Sequence, residues 1–436
     1  MFGVAILSDS VFPAETSSSR GGAGREPPLI VYACAYMNGT WSGQPGGCRG
    51  AGSLEPRETA VTATLTFHPL GNADCTRFDL ADGKKILIDY ADMKNRDDPW
   101  DRRIDLPAEL KSDLRAAQRD YYNVVCFTHL DDDHCGGGDF FWLEHALKYQ
   151  GEGRIKIREL WVPAAAILED GLDDSARIIR QEARYRLKKG SGIRVFSRPT
   201  KLKEWLEANG LTLESRAHLI TDAGQFVPGY SIFGPERVQF FIHSPFGWRQ
   251  NDNEVVDRNQ DSVVFQATFL EGTRQTRALF MSDIDHESIE QIVKTSKRHN
   301  NEDRLLWDIF KVPHHCSYTA IGPDKGDDET RPTDEVKWLC ETQGQERHTM
   351  MSTSKSIPIK GSDEDKDVQP PHRQAAAYYK RVANAKDGQF KVTMDLPSAS
   401  KPKPTKIEIT DRGARLLTVS ATVGAASIVS TPARAG

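Results

Sequence analysis

Thr128-His129-Leu130-Asp131-Asp132-Asp133-His134-Cys135-Gly136-Gly137 follows directly on the apolar run 123–127 (NVVCF). Two histidines and three carboxylates thus fall within six residues at the end of an expected strand, where side chains converge on one loop. Acids packed this closely repel one another unless a cation joins them, and imidazole with carboxylate suits zinc, manganese or iron. The glycines behind the cluster let the backbone turn sharply.

Working outward, β-branched or apolar runs at 62–68, 85–90, 123–128, 158–162, 238–243, 262–269, 277–282, 307–312 and 348–353 predict strands. Helical spacing predicts helices at 107–120, 139–149, 174–189, 201–209, 285–298 and 372–386. Two later strands end as the first one does. RALFMS runs into Asp283, and WDIFKVP runs into His314-His315-Cys316-Ser317. Three strand ends carrying metal-ligand types in one chain point to a shared cage rather than to three unrelated polar turns.

The composition is that of an ordinary globular protein. The 436 residues are 38% hydrophobic and 27% charged, which excludes a disordered or fibrous chain. A net charge of −5 gives no global pull toward nucleic acid or anionic membrane, so an anionic substrate must be held locally. The seven cysteines (34, 48, 75, 126, 135, 316 and 340) contain no CxxC pair, arguing against a disulfide framework and a zinc knuckle. No apolar run approaches the roughly 20 residues of a membrane span, and no secretory pattern opens the chain, so a cytoplasmic location is expected. Residues 1–57, rich in Gly, Ser, Pro and Arg, read as a disordered arm, 58–412 as the folded domain and 413–436 as a loose tail. Within the domain, 164–230 reads as a helical insertion.

HLDDDHCGG, MSD and KVPHHCS resemble the metallo-β-lactamase superfamily, and more narrowly the hydrolase domain of the DNA-uptake protein ComEC, with its HxDxDHxGG, GD and HHGS motifs. LGNADCTRFDLADGKKILIDY (70–90) is similar to the opening hairpin of that family and NQDSVVF (259–265) to a later strand. The chain departs from the pattern in HHCS for HHGS and in having no channel segment, which excludes DNA import by this polypeptide alone.

The resemblance implies an α/β fold, a four-layer αββα metallo-β-lactamase sandwich with the helical insertion. It also implies two divalent metal ions, zinc or manganese. His129 and Asp131 would hold one metal, Asp133 and His134 the other, with Asp283 bridging and His315 completing the second site. The choice between His314 and His315 stays open, the other histidine donating a proton or holding substrate. His243, at the end of VQFFI, is the strand-end candidate for a further ligand. Asp89 would orient a ligating histidine. Asp133, His134, His314 and His372 are the catalytic candidates, His372 through a loose match of 369–373 to the family's last motif. The metals would activate a bridging hydroxide, so Cys135 and Cys316 are not read as nucleophiles.

The implied function is a dinuclear metal-dependent hydrolase, a phosphodiesterase or nuclease acting on nucleic acid or another phosphodiester. The alternatives are a small-molecule hydrolase (cyclic nucleotide, lactone or β-lactam) and a metal-binding accessory subunit. Arg177, Arg180, Arg184 and Lys188 lie along one helix face and would track a phosphate backbone, although Glu182 and nearby acids balance them. Trp248 and Tyr318 are candidates to stack on bases, and Arg373 to clamp a phosphate.

Overall fold

The computed structural model describes residues 61–172, 174–252 and 257–417, all within the unit Glu58–Gly436. The proposed arm 1–57 and the chain beyond 417 lie outside the described residues.

The strands form two sheets. The ten-stranded sheet runs in the order Gly413–Leu417, Thr405–Thr410, Val61–Phe67, Thr76–Asp79, Lys85–Ile88, Tyr121–Cys126, Ile155–Pro163, Ile193–Phe196, Ile220–Thr221, with Phe141–Trp142 paired beside Ile155–Pro163. The six-stranded sheet runs Gln389–Val392, Gly344–Ser352, Trp307–Lys311, Arg274–Phe280, Val264–Glu271, Val238–Ser244. Alternation along the strands turns one face of each sheet toward the other. Leu65, Phe78, Ile86 and Val124 of the first sheet pack with Phe240, Phe265, Phe280 and Ile309 of the second in one buried cluster.

Helices cover the outer faces, and their sequences explain why. In Leu106–Ala116, Leu106, Leu110 and Leu114 fall on one stripe facing the first sheet, and Asp105 caps the start by accepting from the Ala108 amide. In His286–Arg298, Ile289, Ile292 and Val293 face the second sheet, and Asp285 caps through the Ser288 amide. Arg373–Asn384 packs Ala375, Ala376, Tyr379 and Val382 on the same side. Helices outside, sheets inside: this mixed α/β arrangement is compatible with an αββα sandwich.

Three expectations change. Residues 139–149 do not form one helix, because the amides of Glu144 and His145, which a helix would need, donate to the buried Glu182 carboxylate. Phe141–Trp142 instead pairs with Ile155 and Lys156. Segment 164–230 carries helices, including Asp174–Lys189, but its strands Ile193–Phe196 and Ile220–Thr221 also extend the first sheet. The tail boundary at 412 falls too early, since Gly413–Leu417 pairs with Thr405–Thr410.

The site is positioned by parallel pairing. Lys85–Ile88 and Tyr121–Cys126 are parallel neighbours in one sheet, and Arg274–Phe280, Trp307–Lys311 and Gly344–Ser352 in the other. Their carboxyl ends open into the loops that carry Asp89, His129, Asp283, His315 and Thr353, the usual place for a site on such sheets. A Val263 amide to Thr128 carbonyl bond (2.9 Å) and a Ser282 to Thr128 hydroxyl bond (2.9 Å) tie the two sets of loops together.

Candidate metal centre

Four side chains from four separate segments, Asp74, His134, Asp283 and His315, each offer a ligand atom within 4.8 Å of the others, and all four are buried. His129, Asp133 and His134 form a second such group, so His134 belongs to both. His134 Nε2 lies 3.2 Å from Asp283 Oδ1 and 3.5 Å from Asp74 Oδ2. His315 Nε2 lies 3.1 Å from both Asp133 Oδ2 and Asp283 Oδ2.

Each histidine is oriented by its other nitrogen. His134 Nδ1 meets Asp89 Oδ2 at 2.9 Å, and Asp89 also accepts from the amide and hydroxyl of Thr128. This is the orienting contact expected of Asp89. His315 Nδ1 donates to the Thr353 carbonyl at 2.7 Å. Both rings therefore direct Nε2 into the cluster, as in carboxylate-oriented metal ligands. The backbone is forced to do this: His314, His315 and Cys316 all have positive φ (48°, 49° and 68°), a conformation L-residues rarely adopt in succession.

The electrostatics ask for a cation. Asp74, Asp89 and Asp283 are almost fully buried and Asp133 partly so, while the buried Lys311, paired with Asp74 and 3.6 Å from Asp283, is the ammonium among them. Burial works against the charged form of His134, but the Asp283 and Asp89 carboxylates override it and push its pKa well up. His315 is likewise raised, to about 10, with Asp283 and Asp133 outweighing burial. Burial, reinforced by His134, holds His129 well below its usual value, leaving a neutral imidazole suited to ligation. Against burial, His315, His134 and Lys311 depress Asp283.

The residues present fit divalent metal. His129 Nε2, His134 Nε2, Asp74 Oδ1 and Asp283 Oδ1 are buried and make no hydrogen bond, although buried polar atoms normally find a partner. A mixed imidazole and carboxylate donor set is the chemistry a divalent cation satisfies.

The other sequence candidates fall into place around this core. Asp131 stands at the edge, its Oδ2 3.7 Å from His129 Nε2 and its Oδ1 2.8 Å from Arg258 Nη1, while Arg258 Nη2 pairs with Glu169 at 2.7 Å. Asp132 is exposed, as a spacer would be. His314 is outside both ligand groups, its ring 6.3 Å from that of His315. His372 caps the next helix: its amide donates to the Cys316 carbonyl and its Nδ1 accepts from the Tyr318 amide at 3.3 Å.

His243 is not brought into the cluster. Its neighbour Ile242 faces the inter-sheet core, so the strand alternation turns His243 outward, where its Nε2 bonds the Arg304 carbonyl at 2.9 Å. Its strand is also two places from Arg274–Phe280 in the sheet. Arg373 is engaged with Asp365 and the carbonyls of Asp327 and Asp328 rather than held free as a clamp. On the basic helix face, Arg180 and Arg184 bond the carbonyls of Glu169 and Ile167 and Lys188 stands over the Trp205 ring, while Arg186, off that face, is buried against Glu182. Cys135 and Cys316 are buried with thiol pKa values pushed up by that burial, the state of inert thiols.

Sequence reasoning missed two residues. Asp74 lies in the LGNADC turn, read as a hairpin only, and Lys311 is the last residue of the strand WDIFK, which also carries Asp308. For Lys311 the available signal was its place directly after the apolar pair Ile309-Phe310 at a strand end. For Asp74, whose amide donates to the Asp133 carbonyl at 2.9 Å, only the tertiary pairing reveals the role.

No helix among the described residues is long and apolar enough to cross a membrane. No protein-family model matches the chain, and no curated protein matches it. Among solved structures, one described as a new diphosphatase from the PhnP family is similar over 76% of this chain and 94% of that chain, at 12% identity and a TM-score of 0.28.

Proposed function

We propose that the chain is a dinuclear metal-dependent hydrolase of the metallo-β-lactamase type that cleaves phosphodiester bonds. The observation that carries the reading is the convergence of His129, Asp133, His134, Asp283 and His315 from three strand ends, with His129 Nε2, His134 Nε2 and Asp283 Oδ1 buried and without a hydrogen bond. The helix-covered double sheet and the HxDxDHxGG-like motif support the same superfamily, and the motif resembles that of the ComEC hydrolase domain.

His129 and Asp131 would serve one metal and Asp133, His134 and His315 the other, as the resemblance implies, with Asp283 shared and Asp74 beside His134 and His315. Divalent cations bound there would supply positive charge for a developing phosphoryl oxyanion and make a water acidic enough to ionise near neutrality. The chain's own residues do the rest. Asp89 and the Thr353 carbonyl hold the two rings in register. Lys311 fixes the carboxylates of Asp74 and Asp283 behind the site. His314 and His372, both with pKa values lowered chiefly by burial, stand on the adjoining loops and are assigned to substrate contact. A panel of single- and double-stranded DNA, RNA and a bis-aryl phosphodiester, run with Zn²⁺ and with Mn²⁺, tests the reading. Cleavage of at least one phosphodiester, lost with chelator, is expected. Hydrolysis of a lactone or β-lactam alone would replace it.

A further inference from the structure

Asp131 occupies the N-cap position of the short helix Asp132–Cys135, where an aspartate ordinarily accepts from an amide of the first turn. Its carboxylate makes no such bond among the described residues. It is turned instead between two partners: Oδ1 accepts from Arg258 Nη1 at 2.8 Å, and Oδ2 faces His129 Nε2 at 3.7 Å. One oxygen is thus fixed by a guanidinium, and the other is left beside the imidazole assigned to the same metal.

Arg258 is itself held. Its Nε donates to Glu169 Oε1 at 2.7 Å, and its Nη2 lies 2.7 Å from the same oxygen. Its backbone stands on a turn in which the Gln260 amide donates to Asp257 Oδ1 and the Ser262 amide and hydroxyl both donate to the Asn259 carbonyl. That turn leads to Val263, whose amide donates to the carbonyl of Thr128, the residue before His129. On the other side, Glu169 follows the helix Ala165–Leu168, and its carbonyl accepts from Arg180 Nη1 at 2.6 Å. A line of contacts therefore runs from Arg180 through Glu169 and Arg258 to Asp131, joining segment 164–230 to the loop that follows Tyr121–Cys126.

A guanidinium suits this place because its planar fork reaches two carboxylates at fixed angles, which a lysine ammonium on a flexible stem does not. Without it, the Asp131 carboxylate is free to turn onto the amides of its own helix, the bond its position favours, and Oδ2 leaves His129.

We propose that Arg258, braced by Glu169, is a positioning residue of the metal centre, keeping Asp131 off its own helix and its Oδ2 available to the metal assigned to His129 and Asp131. The inference rests on that ligand assignment and gives segment 164–230 a task in it.

The test is equilibrium dialysis of the metal-free full chain against Mn²⁺ and against Zn²⁺, with Asp131→Ala and His315→Ala marking which of two binding steps belongs to which metal. Arg258→Ala should weaken the step that Asp131→Ala weakens by about 10- to 100-fold and leave the step marked by His315→Ala within about twofold. Arg258→Lys, which keeps the charge and loses the fork, should fall between wild type and Arg258→Ala, and Glu169→Gln should weaken the same step by less. Arg258 is partly exposed, so the melting temperature of the metal-free variants should match wild type. An unchanged first step, equal weakening of both steps, or tighter binding in Arg258→Ala would overturn the proposal, the last by showing that Arg258 competes with metal for Asp131. Wild-type binding at both steps in Asp131→Ala would overturn the ligand assignment and the brace with it, whereas a loss in Asp131→Ala that Arg258→Ala does not share would overturn the brace alone.

Discussion

His134 Nδ1 lies 2.9 Å from Asp89 Oδ2, a contact that turns Nε2 of the same ring to within 3.2 Å of Asp283. The pair sits below the ligand cluster and decides which nitrogen faces it. Asp89→Asn keeps the volume and removes the charge, so metal affinity should fall by about 10- to 100-fold with little change in circular dichroism. Equilibrium dialysis against Zn²⁺ reads this directly, and wild-type affinity in the variant would remove Asp89 from the account.

Lys311 is 3% exposed and its ammonium stands between Asp74 and Asp283. Lys311→Met leaves those carboxylates buried without their cation, which should cost the metal-free protein about 3–5 kcal/mol in urea unfolding. Saturating divalent metal should stabilise this variant by more than it stabilises wild type, because the added cation then replaces the missing charge. An equal metal-induced shift in both proteins would show that Lys311 and the metal answer to different carboxylates.

Glu182 is fully buried and holds its proton only near pH 2, since its bonds to His145 and Arg186 outweigh the burial that would raise its pKa. A carboxyl depressed from 4.5 in the unfolded chain to about 2 in the fold contributes stability above pH 4.5. That stability disappears as the pH falls from about 4.5 toward 2. It amounts to about 3 kcal/mol. Glu182→Gln should lose roughly that much at pH 7, and the gap to wild type should close across that window in chemical denaturation. A gap that stayed constant down to pH 2 would mean packing, not ionisation, sets the cost.

The strands that build the site were legible because each is a short apolar run stopped by a ligand-type residue, as at Phe127-Thr128-His129 and Met281-Ser282-Asp283. Helix stripes such as Ile289, Ile292 and Val293 were equally plain. What failed was whatever depended on partners distant in sequence. Residues 139–149 carry helical spacing, but Glu182, some 40 residues on, takes their amides. His243 has the strand-end position of a ligand, and only its place in the sheet and the direction of its side chain remove it. Asp74 carries no local mark at all, because its role comes from Lys311 and His134 arriving across the fold.

The central claim is that Asp133 and His134 hold metal that the reaction needs. Metal content and phosphodiester turnover, measured together on the purified wild type and on Asp133→Ala and His134→Ala, address it most directly. The account predicts about two divalent ions per wild-type chain, loss of at least one in each variant, and turnover reduced by at least about a thousandfold while circular dichroism stays native. Full turnover with undiminished metal content in either variant would contradict it.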